Sequence, residues 1–219
     1  FKPEWKDPET TNKIQELSKS IPDSLVEKVK EIEKTTNHDV KAVEFALAEE
    51  FKHSESVQAS LHIFLTSEDI NSLSYALMLK KSHNKLLKWV EEIIAALESL
   101  ASENKNIAMM ARTHGQPASP TTLGKEINVF VARLKKEHAT LSKAKFYAKW
   151  GGATANYNPH SVAFPQENWV EHSKKFLNHL DIELTVVSTQ IEPHDYMSEI
   201  FHNILRINNI LIDLTRDIW

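Results

Sequence analysis

Residues 69–102, DINSLSYALMLKKSHNKLLKWVEEIIAALESLAS, decide the fold of this chain. Apolar residues recur in this stretch at an interval close to that of one α-helical face. The positions that share the face are Ile70, Leu73, Leu77, Leu87, Val90, Ile94 and Leu97, with Lys80 and Asn84 between them. The pattern predicts one helix of roughly thirty residues, about 45 Å long.

Two further long helices are predicted by the same periodicity. One runs from about Thr121 to Phe146, and the other starts near His194 and continues to the end of the chain. The second of these helices is apolar on more than one face, so we expect it to be buried on several sides.

Shorter elements fill the remainder of the chain. Helices are predicted near residues 9–19, 23–34, 37–50, 54–64 and 167–180, and a short extended piece at Leu184–Ser188. We therefore predict an all-α fold in which a small N-terminal helical domain, residues 1–65 with its start missing, precedes a long-helix bundle. That bundle, at residues 66–219, is expected to be truncated at its C-terminus.

The composition excludes several classes of protein. The 219 residues include four glycines and no cysteine, and the net charge is −4. The glycines form no dinucleotide-binding or phosphate-binding loop motif, and their scarcity disfavours hairpins and β-rich folds. The lack of cysteine excludes a thiolate nucleophile and suits a reducing compartment. Because the charge is dispersed and no apolar run could span a bilayer, neither a nucleic-acid partner nor a membrane is expected.

Polar residues gather in five short segments near the ends of the predicted helices. The segments are Thr35–Asp39, His62 with Thr66–Asp69, Arg112–Pro117, Asn156–His160 and Thr189–Asp195. Helix capping explains part of this pattern, since Thr66–Asp69 matches a capping box. Capping does not explain Arg112–Pro117, which groups a guanidinium, a hydroxyl, an imidazole and an amide in one predicted loop. Helix starts attract anions and imidazole transfers protons near neutral pH, so the segments indicate a site for a small polyanion.

Motifs for two other kinds of site are missing from the sequence. No H-E-x-x-H pair and no aspartate-rich calcium loop occurs, so no metal site is predicted. No G-x-S-x-G elbow occurs either, which disfavours a serine hydrolase.

The five polar segments together resemble the adenylosuccinate lyase family of the fumarase/aspartase superfamily. The stretches that carry the resemblance are TTNHDVKAVE at 35–44, TSEDINSLSYALMLK at 66–80, RTHGQPASPTTLGKE at 112–126, NYNPH at 156–160 and TQIEPHDY at 189–196. They stand in the family's order along nearly the whole chain. The first and last of them separate this family from fumarases and argininosuccinate lyases. The resemblance implies a helical bundle of the fumarase/aspartase type.

The resemblance also implies an enzyme that releases fumarate by β-elimination. Adenylosuccinate would give AMP, and the succinylated aminoimidazole carboxamide ribotide would give the free carboxamide (AICAR), both in purine biosynthesis. A base removes a proton beside a carboxylate while an acid protonates the departing nitrogen. The negative charge that builds up requires dense anion stabilisation. No cofactor is implied.

Family roles carry over to eight residues of this chain. His114 matches the histidine that serves as general acid. The remainder match substrate-binding positions: Asn37, His38 and Asp39 in one loop, Thr66 and Ser67 at a substrate carboxylate, Gln190 as an amide contact and His62 near the phosphate.

Parts of the family pattern are altered or missing. Where relatives read N-G-A-V-G-N-Y-N, residues 151–158 read GGATANYN, so that Gly151 replaces an asparagine and Ala155 a glycine. The loop S-S-x-M-P-x-K-x-N-P, which supplies the family's catalytic serine, is absent from the 219 residues, as is the early Arg-Tyr phosphate contact. We therefore expect a fragment that is inactive alone.

Two alternative functions remain compatible with the sequence. One is a sibling lyase acting on argininosuccinate, aspartate or malate. The other is a non-catalytic helical assembly module whose polar segments only cap helices. The resemblance itself implies a cytoplasmic homotetramer with sites shared between protomers and a succinylated purine nucleotide as its anionic substrate.

Overall fold

The computed structural model describes residues 8–219. In chain order the elements are α1 (Pro8–Lys19), α2 (Asp23–Thr36), α3 (Asp39–Glu50), α4 (Glu55–Gln58), α5 (Ser67–Glu103), β1 (Ala108–Thr113), β2 (Gln116–Thr122), α6 (Leu123–Leu141), β3 (Tyr147–Ala148), α7 (Asn158–Ala163), α8 (Trp169–His179), β4 (Glu183–Leu184) and α9 (Asp195–Ile218). Helices dominate, so the prediction of an all-α class is confirmed. The first seven residues of the predicted N-terminal domain lie outside the described range.

The three predicted long helices are α5, α6 and α9. Residues 69–102 lie within one continuous helix, α5, of 37 residues. Helix α6 is shorter than predicted at both ends. It begins at Leu123 because Thr122 is its N-cap, whose hydroxyl accepts a hydrogen bond from the Lys125 backbone N–H. It ends at Leu141, and the chain then turns into β3.

The shorter helices agree with the prediction except at one place. Helices α1, α2, α3 and α8 lie within two or three residues of their predicted bounds. The predicted helix at 54–64 is wrong, since only Glu55–Gln58 is helical and turns follow. Phe64 adopts a φ of 65°, a left-handed conformation that no α-helix continues through. The extended piece predicted at Leu184–Ser188 is only the two-residue strand β4, paired with β3.

Strands β1 and β2 form an antiparallel hairpin that the glycine-poor composition did not predict. Thr113 lies opposite Gln116, and the two residues between them make the turn. These turn residues, His114 and Gly115, have φ of 51° and 75°, and positive φ at both central residues is the signature of a type I′ turn. The loop expected at Arg112–Pro117 is therefore wrong, because a single glycine placed at the turn is enough to form the hairpin.

The chain forms two compact units. The first comprises the residues up to Ser74 together with 148–180 and 184–192, and the second comprises residues 75–147, 181–183 and 193–219. Buried side chains of the first unit include Val40, Ala42, Ala46, Phe51 and Leu177; those of the second include Val90, Ile94, Phe130, Leu134 and Ile207. The domains at 1–65 and 66–219 remain a prediction.

Two surface properties of the helices bear on partners. Within residues 8–219, no helix has both the length and the apolar character needed to cross a bilayer. Helix α9 leaves Phe201, Leu205 and Ile212 about half exposed, at 55%, 55% and 48%. These are three of the large apolar side chains that the described part of the chain leaves exposed.

Candidate active site

Asn37, His38 and Asp39 form the junction between α2 and α3. Asn37 ends α2 in the left-handed conformation, with a φ of 49°. His38 is the N-cap of α3, because its Nδ1 accepts a hydrogen bond from the Lys41 backbone N–H at 3.3 Å. Asp39 occupies the first turn, where a carboxylate complements the helix dipole. All three side chains remain exposed, so helix capping leaves them available to a ligand.

His38 also reaches the start of α5 through its second ring nitrogen. Its Nε2 lies 3.1 Å from the Ser67 hydroxyl oxygen, within hydrogen-bond distance. The structure thus brings together two predicted binding residues that are 29 positions apart in sequence.

Thr66 and Ser67 lie at the start of α5. The Thr66 N–H donates to Asp69 Oδ2 at 2.8 Å, which is the reciprocal bond of a capping box. Both residues are half-buried. The N–H groups of the first helical turn have no partner within their helix, and the helix dipole favours an anion there. With the two hydroxyls and His38 beside it, this helix start can bind a carboxylate.

A buried ion pair lies directly beneath this helix start. Lys149 Nζ is 2.7 Å from Asp69 Oδ1, and both side chains are 0% exposed. The same carboxylate accepts the backbone N–H groups of Gly151 at 3.1 Å and Gly152 at 3.2 Å. Sequence reasoning found Asp69 only as a capping residue and missed Lys149. A lysine within the apolar stretch FYAKW was the one available signal.

His114 lies in the second unit, at the exposed turn of the hairpin. A φ of 51° is uncommon for a residue with a side chain, although histidine tolerates it better than most. Asparagine and glycine are the usual residues at this position of a type I′ turn. Backbone strain of this kind concentrates at functional sites.

Gln190 and His62 lie in turns of the first unit. The hydroxyls of Ser188 and Thr189 both donate to the Ile191 carbonyl oxygen, at 3.2 and 3.3 Å, and so fold the chain tightly around Gln190. The Gln190 side chain is exposed, whereas His62 is half-buried in the turns after α4. Within residues 8–219, no group of three histidine or acidic side chains is arranged to hold a metal ion.

The chain matches the sequence profile of a family described as Lyase over residues 6–219. The chain belongs to this lyase family. It is 44% identical to the adenylosuccinate lyase of Legionella pneumophila (strain Corby) over 94% of its own length and 46% of that protein. It is 42% identical to the adenylosuccinate lyase of Escherichia coli (strain K12) over 88% of its length and 43% of that protein. The lyase chain thus spans somewhat less than half the length of the curated relatives it matches.

Solved structures share the fold of this chain. A fumarate lyase from Mesorhizobium sp. BNC1 superimposes on the lyase chain with a TM-score of 0.79 over 96% of this chain and 48% of that one, at 18% identity. A β-carboxy-cis,cis-muconate cycloisomerase from Acinetobacter calcoaceticus gives a TM-score of 0.78 over 94% of this chain and 48% of that one, at 20% identity. These likenesses establish the fold alone. The roles assigned to the eight site residues remain predictions.

Ala155 stands where the family pattern has a glycine, and its backbone is strained there. Its φ is 57°, in the left-handed region that glycine adopts without strain. The departure therefore costs about 1 kcal/mol in the folded state. A Cβ at position 151 would lie 3.0 Å from backbone atoms of Ala155, so Gly151 suits this close approach of the two backbone segments.

An aromatic cage encloses His160 of the NYNPH motif. The ring centroids of Phe64 and Trp169 lie 5.0 Å from the imidazole centroid, and that of Tyr157 lies 5.3 Å away. His160 is 4% exposed, and its Nδ1 has no hydrogen-bond partner among residues 8–219. Burial lowers the pKa of His160 below its ordinary value of 6.5, and the negative charge of Asp69 opposes that shift. Burial in the cage therefore favours the neutral form of this imidazole.

We predict that the burial of His160 makes the protein less stable in mild acid. The unfolded chain protonates this imidazole at a higher pH than the folded chain does, so the unfolded state gains protons as the pH falls below 6.5. The free energy of unfolding should therefore fall with the pH, until the folded-state pKa is passed. We expect His160→Phe, which keeps an aromatic ring in the cage, to flatten this dependence. Urea unfolding from about pH 7.5 to 5 measures it. Equal slopes for the wild type, His160→Phe and the exposed control His179→Gln would contradict the prediction.

Proposed function

We propose that the full-length lyase cleaves adenylosuccinate to AMP and fumarate, and acts likewise on the succinylated aminoimidazole carboxamide ribotide to give AICAR. The observation that carries the proposal is the 42–44% identity to named adenylosuccinate lyases over 88–94% of this chain. That span includes the segments from which the site residues come.

The geometry at the start of α5 supports an anionic substrate. The helix N-terminus carries Thr66 and Ser67, and the Ser67 hydroxyl lies 3.1 Å from His38 Nε2. A succinyl carboxylate bound there would place the neighbouring C–H for removal by a base. Asn37, Asp39, Gln190 and His62 would contact the remainder of the nucleotide.

His114 would act as the general acid. The base takes the proton from the carbon beside the carboxylate, and the electron pair of that C–H bond forms the double bond of fumarate. The C–N bond on the adjacent carbon breaks, its electron pair stays on the nitrogen that leaves with the purine, and His114 would give that nitrogen a proton. The strained, exposed position of His114 supports this role, since an ordinary turn would favour asparagine or glycine. No residue of this chain is assigned as the base.

The assembly belongs to the same proposal. We expect a cytoplasmic homotetramer whose sites are shared between protomers. The exposed apolar side chains of α9, Phe201, Leu205 and Ile212, support such a partner surface. The 219 residues alone are expected to be inactive.

The test is substrate discrimination by the full-length protein. Fumarate release should be measured with adenylosuccinate, argininosuccinate, aspartate and malate under the same conditions. Release from adenylosuccinate alone supports the proposal. Release from one of the other three assigns a sibling lyase instead. A full-length protein that releases no fumarate from any of them, and whose melting temperature AMP and adenylosuccinate leave unchanged, is a non-catalytic assembly module.

A further inference from the structure

The carboxylate of Asp69 joins two segments of the first unit, the start of α5 and residues 149–152. Its Oδ1 accepts from Lys149 Nζ at 2.7 Å and from the Gly151 N–H at 3.1 Å. Its Oδ2 accepts from the Thr66 N–H at 2.8 Å and from the Gly152 N–H at 3.2 Å. An ionised carboxylate accepts about four hydrogen bonds, so Asp69 is fully occupied by protein donors.

Lys149 also binds the backbone of the loop that follows it. Its ammonium also donates to the Gly152 carbonyl oxygen at 2.9 Å, so that Gly152 is held at both its N–H and its C=O. The glycine is needed for this approach, because its φ is 80° and a Cβ would lie 2.9 Å from the Phe64 carbonyl oxygen. The loop therefore runs directly against the chain that leads into α5.

From these contacts we propose that the Asp69–Lys149 pair is a positioning device, which holds the loop at residues 151–157 against the start of α5 and thereby sets the geometry of Thr66 and Ser67. The effect on substrate rests on the proposed function. The effect on the loop does not.

Two considerations favour positioning over stabilisation alone. A buried ion pair is weak evidence for stability, because apolar side chains of the same volume often stabilise a fold equally well. Apolar side chains cannot, however, accept hydrogen bonds from the three backbone N–H groups that Asp69 binds.

The pair also changes the net charge at the start of α5. Glu68 and Asp69 place two acidic residues in the first turn of α5, where an anionic substrate would bind. Lys149 neutralises one of them.

The experiment compares three variants of the full-length protein: Asp69→Asn, Lys149→Met and the double variant. An amide has one acceptor oxygen where the carboxylate has two, so its NH₂ would face two N–H donors. We expect each single variant to raise KM for adenylosuccinate by about 10- to 100-fold, with a smaller change in kcat. Hydrogen exchange of the peptide covering residues 150–158 should become at least ~10-fold faster.

The double variant separates positioning from folding. It leaves no uncompensated buried charge, so its melting temperature should return towards that of the wild type even if a single variant fails to fold. Its KM for adenylosuccinate should stay raised, and hydrogen exchange of residues 150–158 should stay fast. Recovery of KM and exchange together with the melting temperature would overturn the proposal, because the pair would then be only structural. A lowered KM in Asp69→Asn would also overturn it, since it would show a simple charge effect.

A matched control and a second readout keep the two proposals distinguishable. Lys30 and Glu33 form an ion pair on α2 with a distance of 2.8 Å and side chains that are 69% and 31% exposed. The double variant Lys30→Met/Glu33→Gln should change neither KM nor loop exchange. If the wild-type protein does not cleave adenylosuccinate but Asp69→Asn still speeds exchange of the loop, the proposed function fails and the positioning of the loop stands. Unchanged exchange in Asp69→Asn and in the double variant overturns the positioning, whatever the turnover.

Discussion

Replacement of His114 by glutamine in the full-length protein should lower kcat for fumarate release from adenylosuccinate by about 10²- to 10⁴-fold. Glutamine keeps a polar side chain of similar reach at the hairpin turn but cannot deliver a proton to the departing nitrogen. The effect on KM should be much smaller, because the proton is transferred in the transition state and not on binding. Steady-state kinetics on purified protein measures both quantities.

The control for this variant is an exposed histidine outside the candidate site. His179 ends α8 and its side chain is exposed. We expect His179→Gln to keep wild-type kcat and KM. Near-normal kcat in His114→Gln would contradict the assignment of the general acid, and equal losses in the two variants would point to a general effect on folding.

The second large effect is expected on stability, from Gly124→Ala at the start of α6. A Cβ at this position would lie 2.3 Å from the Ala101 carbonyl oxygen and 2.6 Å from Lys105 Cα. Both are backbone atoms, so no flexible side chain can move away. We expect the free energy of unfolding to fall by about 3 kcal/mol, at the upper end for an overpacked core. Urea unfolding of the full-length protein measures the change.

The clash would also disturb the base of the hairpin, because backbone hydrogen bonds hold it at the same residues. The Leu123 N–H donates to the Ile107 carbonyl oxygen at 2.9 Å, and the Gly124 N–H donates to that of Asn104 at 3.1 Å. The matched control is Gly115→Ala, since Gly115 has a φ of 75° and a Cβ there would meet no atom within 4 Å beyond its chain neighbours. That variant should cost only the left-handed strain, about 1 kcal/mol. If the two variants cost the same, close packing is not what requires Gly124.

The sequence predicts the helical part of the fold well because its signals are local and repeated. The apolar period of residues 69–102 extends over the whole of α5, and the capping box at Thr66–Asp69 marks its start to within a residue. The hairpin escapes prediction for the opposite reason. It depends on one His-Gly dipeptide with both residues at positive φ. The number of glycines in the chain does not show that one of them stands at such a turn.

The candidate site also has a part that the sequence predicts and a part that it does not. The polar segments predict Asn37, His38, Thr66 and Ser67 as site residues, and the structure places Ser67 beside His38. The partner of Asp69 cannot be found this way, because Lys149 follows it by 80 residues and stands among apolar neighbours. Only the folded chain shows that the two side chains meet.

The discontinuity of the first unit has a consequence for synthesis. Its two main parts, the residues up to Ser74 and those from Ala148 onward, are made at different times. At a translation rate of ~5–20 residues per second, Asp69 is polymerised roughly 4–16 s before Lys149. During that interval the Asp69 carboxylate has no buried partner, and the first unit lacks its residues from Ala148 onward. The buried pair therefore forms only after α5, the hairpin and α6 have been made.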